Sequence, residues 1–193
     1  MADFSIAFPI VISGEGYYVS QEFWRAHHDE VSGETYMGID RIQNPNWAGW
    51  PIIDEYKAEH GAIPYNTRLP LSLGLEPLVM AVAKTKYWDT FLGDQINNQD
   101  TANLIAEIDF MSGSFGIKQV QGAVNTLIAP QTIDVDGEIG TTTMGYINRL
   151  PYQELYAKIY NTRKAWYQAK QQQGSANAAG WLKRLAQLPA TLN

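Results

Sequence analysis

The chain has 193 residues, 45% of them hydrophobic and only 18% charged, with 14 basic side chains against 20 acidic ones and a formal charge of −6. That size fits one ordinary domain or two small ones with a sizeable core, about 70% of the unfolded surface being hidden at this length, and the apolar content excludes a disordered chain. The acidic balance, with no Lys/Arg cluster beyond Lys183-Arg184, speaks against nucleic acid as a partner, and the absence of cysteine excludes disulfides, thiolate catalysis and Cys-based zinc sites.

Residues 4–13 are an apolar run interrupted by Pro9 and ended by Gly14-Glu15-Gly16, the pattern of a helix running into a loop. The stretch from Ile6 to Ile12 is far short of the roughly 20 residues that span a membrane. With Asp3 and no Lys or Arg at its amino end it makes a poor signal peptide. From Tyr17 to Pro45 the pattern is irregular; Thr35-Tyr36-Met37-Gly38-Ile39 alternates and reads as one strand of a small hairpin. Asn46 is a candidate cap for a helix through Tyr56, closed by Gly61 and Pro64. Leu78, Val79, Val82, Ala83, Lys86 and Tyr87 follow at helical steps. Two further helices are expected over Thr101–Met111 and Phe115–Leu127, then a turn-rich crossing over 128–138. Pro151 opens the clearest helix, with Tyr152, Leu155, Tyr156, Ile159, Tyr160, Arg163, Trp166 and Tyr167 on one stripe and Gly174 at its end. A polar linker and a short helix to Leu188 complete the chain. The expected fold class is mainly α, with a small hairpin or irregular region near residues 17–45; with no repeat of 20–50 residues, a solenoid is not expected.

Glu15 stands between two glycines just after an apolar helix, with Tyr17 and Tyr18 following. A carboxyl in such surroundings loses hydration, which raises its pKa and suits a glycosidase proton donor beside an ionised partner. Taken alone, Glu15 reads first as a solvated helix-terminal side chain. Asp29, Glu30 and Glu34 supply further acids within twenty residues. His27-His28-Asp29-Glu30 is a poor metal site, because adjacent side chains diverge and two His four apart are lacking. The Asp134-x-Asp136-Gly137-x-Ile139 segment lacks the first and twelfth ligands of a calcium loop, where Thr132 and Thr143 stand, and reads as a tight turn leading into a helix. Most of the 6 Trp and 11 Tyr belong to the core, Trp166, Tyr160 and Tyr156 among them.

The succession Glu15-Gly16-Tyr17-Tyr18, then Glu30-Val31-Ser32-Gly33-Glu34-Thr35-Tyr36-Met37-Gly38-Ile39, resembles the opening of glycoside hydrolase family 108, lysozyme-like N-acetylmuramidases that include secretion activator proteins. Lys86-Tyr87-Trp88-Asp89, Asp109-Phe110-Met111-Ser112-Gly113, Gln119-Val120-Gln121 with Asp136-Gly137-Glu138-Ile139-Gly140, and Gly180-Trp181-Leu182-Lys183-Arg184 continue the resemblance in order to the chain's end.

The resemblance implies a lysozyme-like helical fold. It implies a catalytic part over 1–94 and a helical peptidoglycan-binding part over 95–193, packed as one unit. The implied reaction is hydrolysis of the β-1,4 bond between N-acetylmuramic acid and N-acetylglucosamine. Glu15 falls on the general acid, and either Asp29 or Glu30 on the second carboxylate. By analogy with phage lysozymes Thr35 positions water. Tyr18, Tyr36, Tyr87, Trp88 and Asp109 are the candidate substrate-binding residues. No cofactor or metal is expected, the expected partner is cell-wall peptidoglycan, and the expected place of action is the wall or periplasm after export or lysis. Three departures from the family pattern bear on activity: Tyr17 for Gly, Glu30 for Asp, and Val31-Ser32 for Pro-Gly. The alternative is a non-catalytic wall-binding or secretion-associated protein that keeps the fold.

Overall fold

The apolar run at the amino end folds as helix α1 (Phe4–Ile12), which buries Phe4, Ala7, Phe8 and Val11 at three- and four-residue steps and leaves Pro9 exposed. This computed structural model describes residues 1–12, 15–27 and 32–192. Among the described residues are eight α-helices and one three-stranded antiparallel sheet, so the fold is mainly α. None of these helices is long and apolar enough to cross a membrane. By internal packing the chain forms two units, Ile12–Ala83 and Met1–Val11 with Lys84–Asn193. Because α1 packs with the carboxyl-terminal part, this division is not the linear, functional one drawn between residues 94 and 95.

The smaller unit holds β1 (Tyr18–Val19), α2 (Gln21–His27), β2 (Thr35–Tyr36), β3 (Ile39–Asp40), α3 (Gly49–His60) and most of α4 (Leu75–Tyr87). Its strands run in the order β1-β2-β3, with Tyr18 opposite Tyr36 and Tyr36 opposite Ile39. The segment Thr35–Ile39 is therefore two strands and their turn, where the alternation reads as one strand. Met37 and Gly38 form a two-residue connection with φ of 47° and 80°. Positive φ at both positions gives a turn whose twist matches the flanking strands, and glycine takes the second place without steric cost. Helix α3 starts without a side-chain cap, at Ala48 rather than Asn46, and ends at Gly61, whose N–H donates to Lys57 O. Trp47 and Trp50 meet edge to face at 4.9 Å in a core completed by Ile53, Ile63, Leu69 and Val79.

The larger unit is built on α5 (Gln99–Ile128), which is buried without a break from Thr101 to Asp109. A helix enclosed on all sides must pair its polar side chains internally. Asn98 accepts from the Thr101 N–H and hydroxyl, Asn103 accepts from Gln99, Asp109 accepts from Thr90, and Glu107 faces Arg184. The two helices expected on either side of residues 112–114 are both present as the two limbs of α5, parted at Gly113, whose φ 50°, ψ −140° is not helical. Helices α6 (Thr141–Arg149), α7 (Tyr152–Gln172) and α8 (Ala178–Leu185) follow. The α7 stripe buries Leu155, Tyr156, Ile159, Tyr160, Arg163 and Tyr167, with Trp166 half-buried and Tyr152 exposed. Arg163 donates to Gln119 and Ser112 on α5. Arg184 donates to Val11 O, holds Nε 3.3 Å from Glu107 Oε1 and lies 5.1 Å over the Phe110 ring. The Gln121 amide fastens the 136–138 turn, donating to Asp136 Oδ1 at 2.7 Å and Glu138 O at 3.0 Å and accepting from the Gly137 N–H at 2.8 Å. The segment is thus the tight turn before α6 that its composition implies.

Candidate active site

Glu15 follows α1 closely, its N–H donating to Ile12 O at 2.9 Å, and is half-buried. Its side chain lies against the turn between β2 and β3: a Cβ added to Gly38 would stand 3.3 Å from Glu15 Oε2 and 3.4 Å from its Cγ. The backbone agrees, since the Met37 N–H donates to Tyr17 O at 3.1 Å. The two segments that carry the amino-terminal motif are thus brought together, and glycine at 38 satisfies both the turn's dihedral and the space beneath the carboxyl group.

Thr35 opens β2. Its hydroxyl donates to Gly33 O at 3.1 Å and accepts from Trp24 Nε1 at 3.2 Å, which leaves one lone pair to accept from a water. Asp29 and Glu30, the two candidates for the second carboxylate, lie outside the described residues, as does His28. His27 ends α2 and stacks on Phe23 at 4.1 Å. Among the described residues no three His, Asp or Glu side chains stand together to hold a metal ion.

Glu34 is held in a different arrangement. It is buried and accepts from Tyr18 Oη at 2.7 Å, Lys57 Nζ at 2.7 Å and Arg41 Nη1 at 2.5 Å. Arg41 also grips Asp54 through both nitrogens, at 2.8 and 2.5 Å, and Lys57 reaches the same carboxylate at 3.0 Å. Burial alone raises the Glu34 pKa, but the bonds from Lys57, Tyr18 and Arg41 outweigh it and hold the carboxyl below its ordinary range. Arg41 brings Asp54 down to about 2. Burial, then the bond to Glu34, pushes the Tyr18 hydroxyl up. An ionised carboxylate has no proton to give, and with three donors fixing its two oxygens in place Glu34 serves as a structural acid. The network lines a cleft of about 650 Å³ in this unit.

Tyr18 is buried with its hydroxyl engaged, and Tyr36 is buried with its ring 6.4 Å from that of Trp47. In the larger unit Trp88 is wholly buried between Phe4 and Phe91, its Nε1 donating to Asp94 Oδ1 at 2.7 Å. Tyr87 and Asp109 are the candidates that this unit brings to one cleft, of about 480 Å³, together with Lys86, Thr90 and residues 137–140. Burial raises the Asp109 pKa against the opposing bond from Thr90. Arg41, Lys57 and Asp54 are flagged only weakly in the sequence by their charges, and no motif signals Asn66.

No protein-family model matches this sequence, and no curated protein matches it. The structure is similar to that of SagA from Brucella abortus, with a TM-score of 0.60 and 23% sequence identity over 96% of this chain and 90% of that one. At that identity the likeness shows a shared fold.

Proposed function

We propose that the chain is a peptidoglycan hydrolase, an N-acetylmuramidase cleaving the β-1,4 bond between N-acetylmuramic acid and N-acetylglucosamine, with Glu15 as its general acid. The observation that carries this reading is the seating of Glu15 against Gly38, which unites the two motif segments that resemble family 108. The fold shared with SagA supports it. Protonated Glu15 gives its proton to the glycosidic oxygen as the bond from that oxygen to the sugar's anomeric carbon breaks, so the leaving group departs as an alcohol. The positive charge that develops on the ring is stabilised by the second carboxylate, Asp29 or Glu30, and water completes the hydrolysis. Thr35 supplies a lone pair to orient that water. In this reading residues 1–94 carry the chemistry and residues 95–193 the wall contact, and Tyr87 from the first stretch and Asp109 from the second are polar handles for glycan in one cleft.

The departures at Tyr17, Glu30 and Val31-Ser32 support a second reading, a wall-binding protein that has lost catalysis. One experiment separates them. Purified wild type and Glu15→Gln are incubated with bacterial peptidoglycan, and the released reducing ends are identified by mass spectrometry. Reducing N-acetylmuramic acid from wild type alone supports the muramidase; a wild type that pellets with the wall and releases nothing refutes it in favour of the binder.

A further inference from the structure

Resting on the assignment of Glu15 as the general acid, we propose that Asn66 is the positioning residue that holds it in place. The peptide groups just after Glu15 are tied to a segment some fifty residues away. Asn66 Oδ1 accepts the Tyr17 N–H at 2.8 Å, the Asn66 N–H donates to Tyr18 O at 2.7 Å, and the Tyr18 N–H donates to Thr67 O at 3.3 Å. The fit is close: a Cβ on Gly16 would stand 3.1 Å from Asn66 Oδ1. Asn66 itself adopts φ 57°, the left-handed conformation that asparagine tolerates better than other side-chain-bearing residues.

Tyr17 is gripped at both of its backbone polar groups, its N–H by Asn66 and its carbonyl by the Met37 N–H of the turn that carries Gly38. Without Oδ1 the Tyr17 N–H turns to water, and the peptide group next to Glu15 loses its own tie to the 66–67 segment, whose remaining bonds, to the Tyr18 carbonyl and N–H, lie one residue further from the carboxyl group. General-acid catalysis is sensitive to such freedom, because a misplacement near 1 Å costs roughly 10²-fold in rate. Asn66 acts on Glu15 through the backbone and touches no reacting atom.

Two substitutions separate the clamp from the backbone conformation. Asn66→Gly keeps the left-handed conformation at no steric cost and removes the acceptor; Asn66→Asp keeps both. Each is measured for kcat and KM on solubilised glycan strands and for hydrogen exchange at the Tyr17 amide, with thermal unfolding as the check on folding. N66G should lose roughly 10- to 100-fold in kcat at little change in KM, with faster exchange at Tyr17, while N66D restores both. Gly16→Ala should disturb the same contact from the other side and cost nothing further in the N66G background; it serves if N66G does not fold. Wild-type kcat in N66G, unchanged Tyr17 exchange, or an N66D as impaired as N66G would overturn the proposal. Exchange needs no turnover, so a wild type that releases no reducing ends sinks the general-acid assignment and leaves the clamp to be judged by Tyr17 alone.

Discussion

Replacing Gly38 by alanine tests whether the seat beneath Glu15 is catalytic or merely a turn. Two effects are expected. The backbone stands at φ 80°, where a Cβ costs about 1–2 kcal/mol. In a chain of this length each kcal/mol is worth roughly 2–4 °C in Tm, so a fall of about 2–8 °C follows. The new methyl would also stand 3.3 Å from Glu15 Oε2 and 3.4 Å from its Cγ, inside comfortable contact, so the carboxyl group must yield by a few tenths of an ångström. With a full ångström worth roughly 10²-fold, kcat should fall on the order of 10-fold. Gly74 provides the control: it stands at φ 66° in the same unit, and an added Cβ meets nothing within 4 Å. G74A should lose comparable stability and keep the wild-type rate. The assay is release of reducing ends at saturating glycan beside thermal unfolding of both variants. Equal rates in G38A and G74A would refute the coupling of the turn to Glu15.

Three further outcomes follow from the packing. Glu34 and Asp54 have lowered pKa values, so their network stabilises fully above the unfolded carboxylate range of about 3.9–4.3 and is lost as pH falls through the folded values, about 2 for Asp54. Tm should therefore drop between about pH 4 and pH 2, and Asp54→Asn should flatten that slope; an unaltered slope counts against the network. Arg184→Met leaves Glu107 buried beside its vacated partner, which should cost about 3–5 kcal/mol in urea unfolding, less in acid where Glu107 is protonated, and the double variant with Glu107→Met should recover most of it. Trp88→Phe should lose about 1–3 kcal/mol while leaving KM for glycan unchanged, because the ring is wholly buried; a raised KM at unchanged Tm would return Trp88 to the substrate-binding set.

The helices were legible because each buries a stripe: the spacing of Leu155, Tyr156, Ile159, Tyr160 and Tyr167 on α7 is what a 3.6-residue period imposes. Gly113 was legible as the break between two helices, and it is the residue whose non-helical dihedrals part the two limbs of α5. The short strands were read less well. Five alternating residues fit one strand or a hairpin tip, and the choice rests on Met37 accepting a positive φ. At the site, Glu15 and Gly38 stood out through their motif spacing. Trp88, in contrast, stands within a motif because Phe4 and Phe91 enclose it, which is a packing reason that a sequence does not distinguish from a sugar contact. Asn66 was invisible because its partners, Tyr17 and Tyr18, offer it only backbone groups, and a backbone donor leaves no trace in residue identity.

The departure at Tyr17 bears most directly on whether such a site can work. The bulk added in place of glycine is half-buried, and the Arg68 guanidinium lies 5.5 Å from the centroid of its ring. Arg68 is itself bound to Glu76 at 2.5 Å, so the ring rests on a side chain fixed from α4. The Tyr17 backbone meanwhile makes the two hydrogen bonds, to Asn66 and from Met37, that hold the strip behind Glu15. Neither bond requires glycine at this place. The side chain and the backbone of Tyr17 thus have separate partners, and the substitution is absorbed on the Arg68 side while Glu15 keeps its seat on Gly38. On the proposed reading Tyr17 is compatible with a seated Glu15, and the non-catalytic alternative rests instead on Glu30 and Val31-Ser32, the stretch next to the second carboxylate that the proposal takes from Asp29 or Glu30.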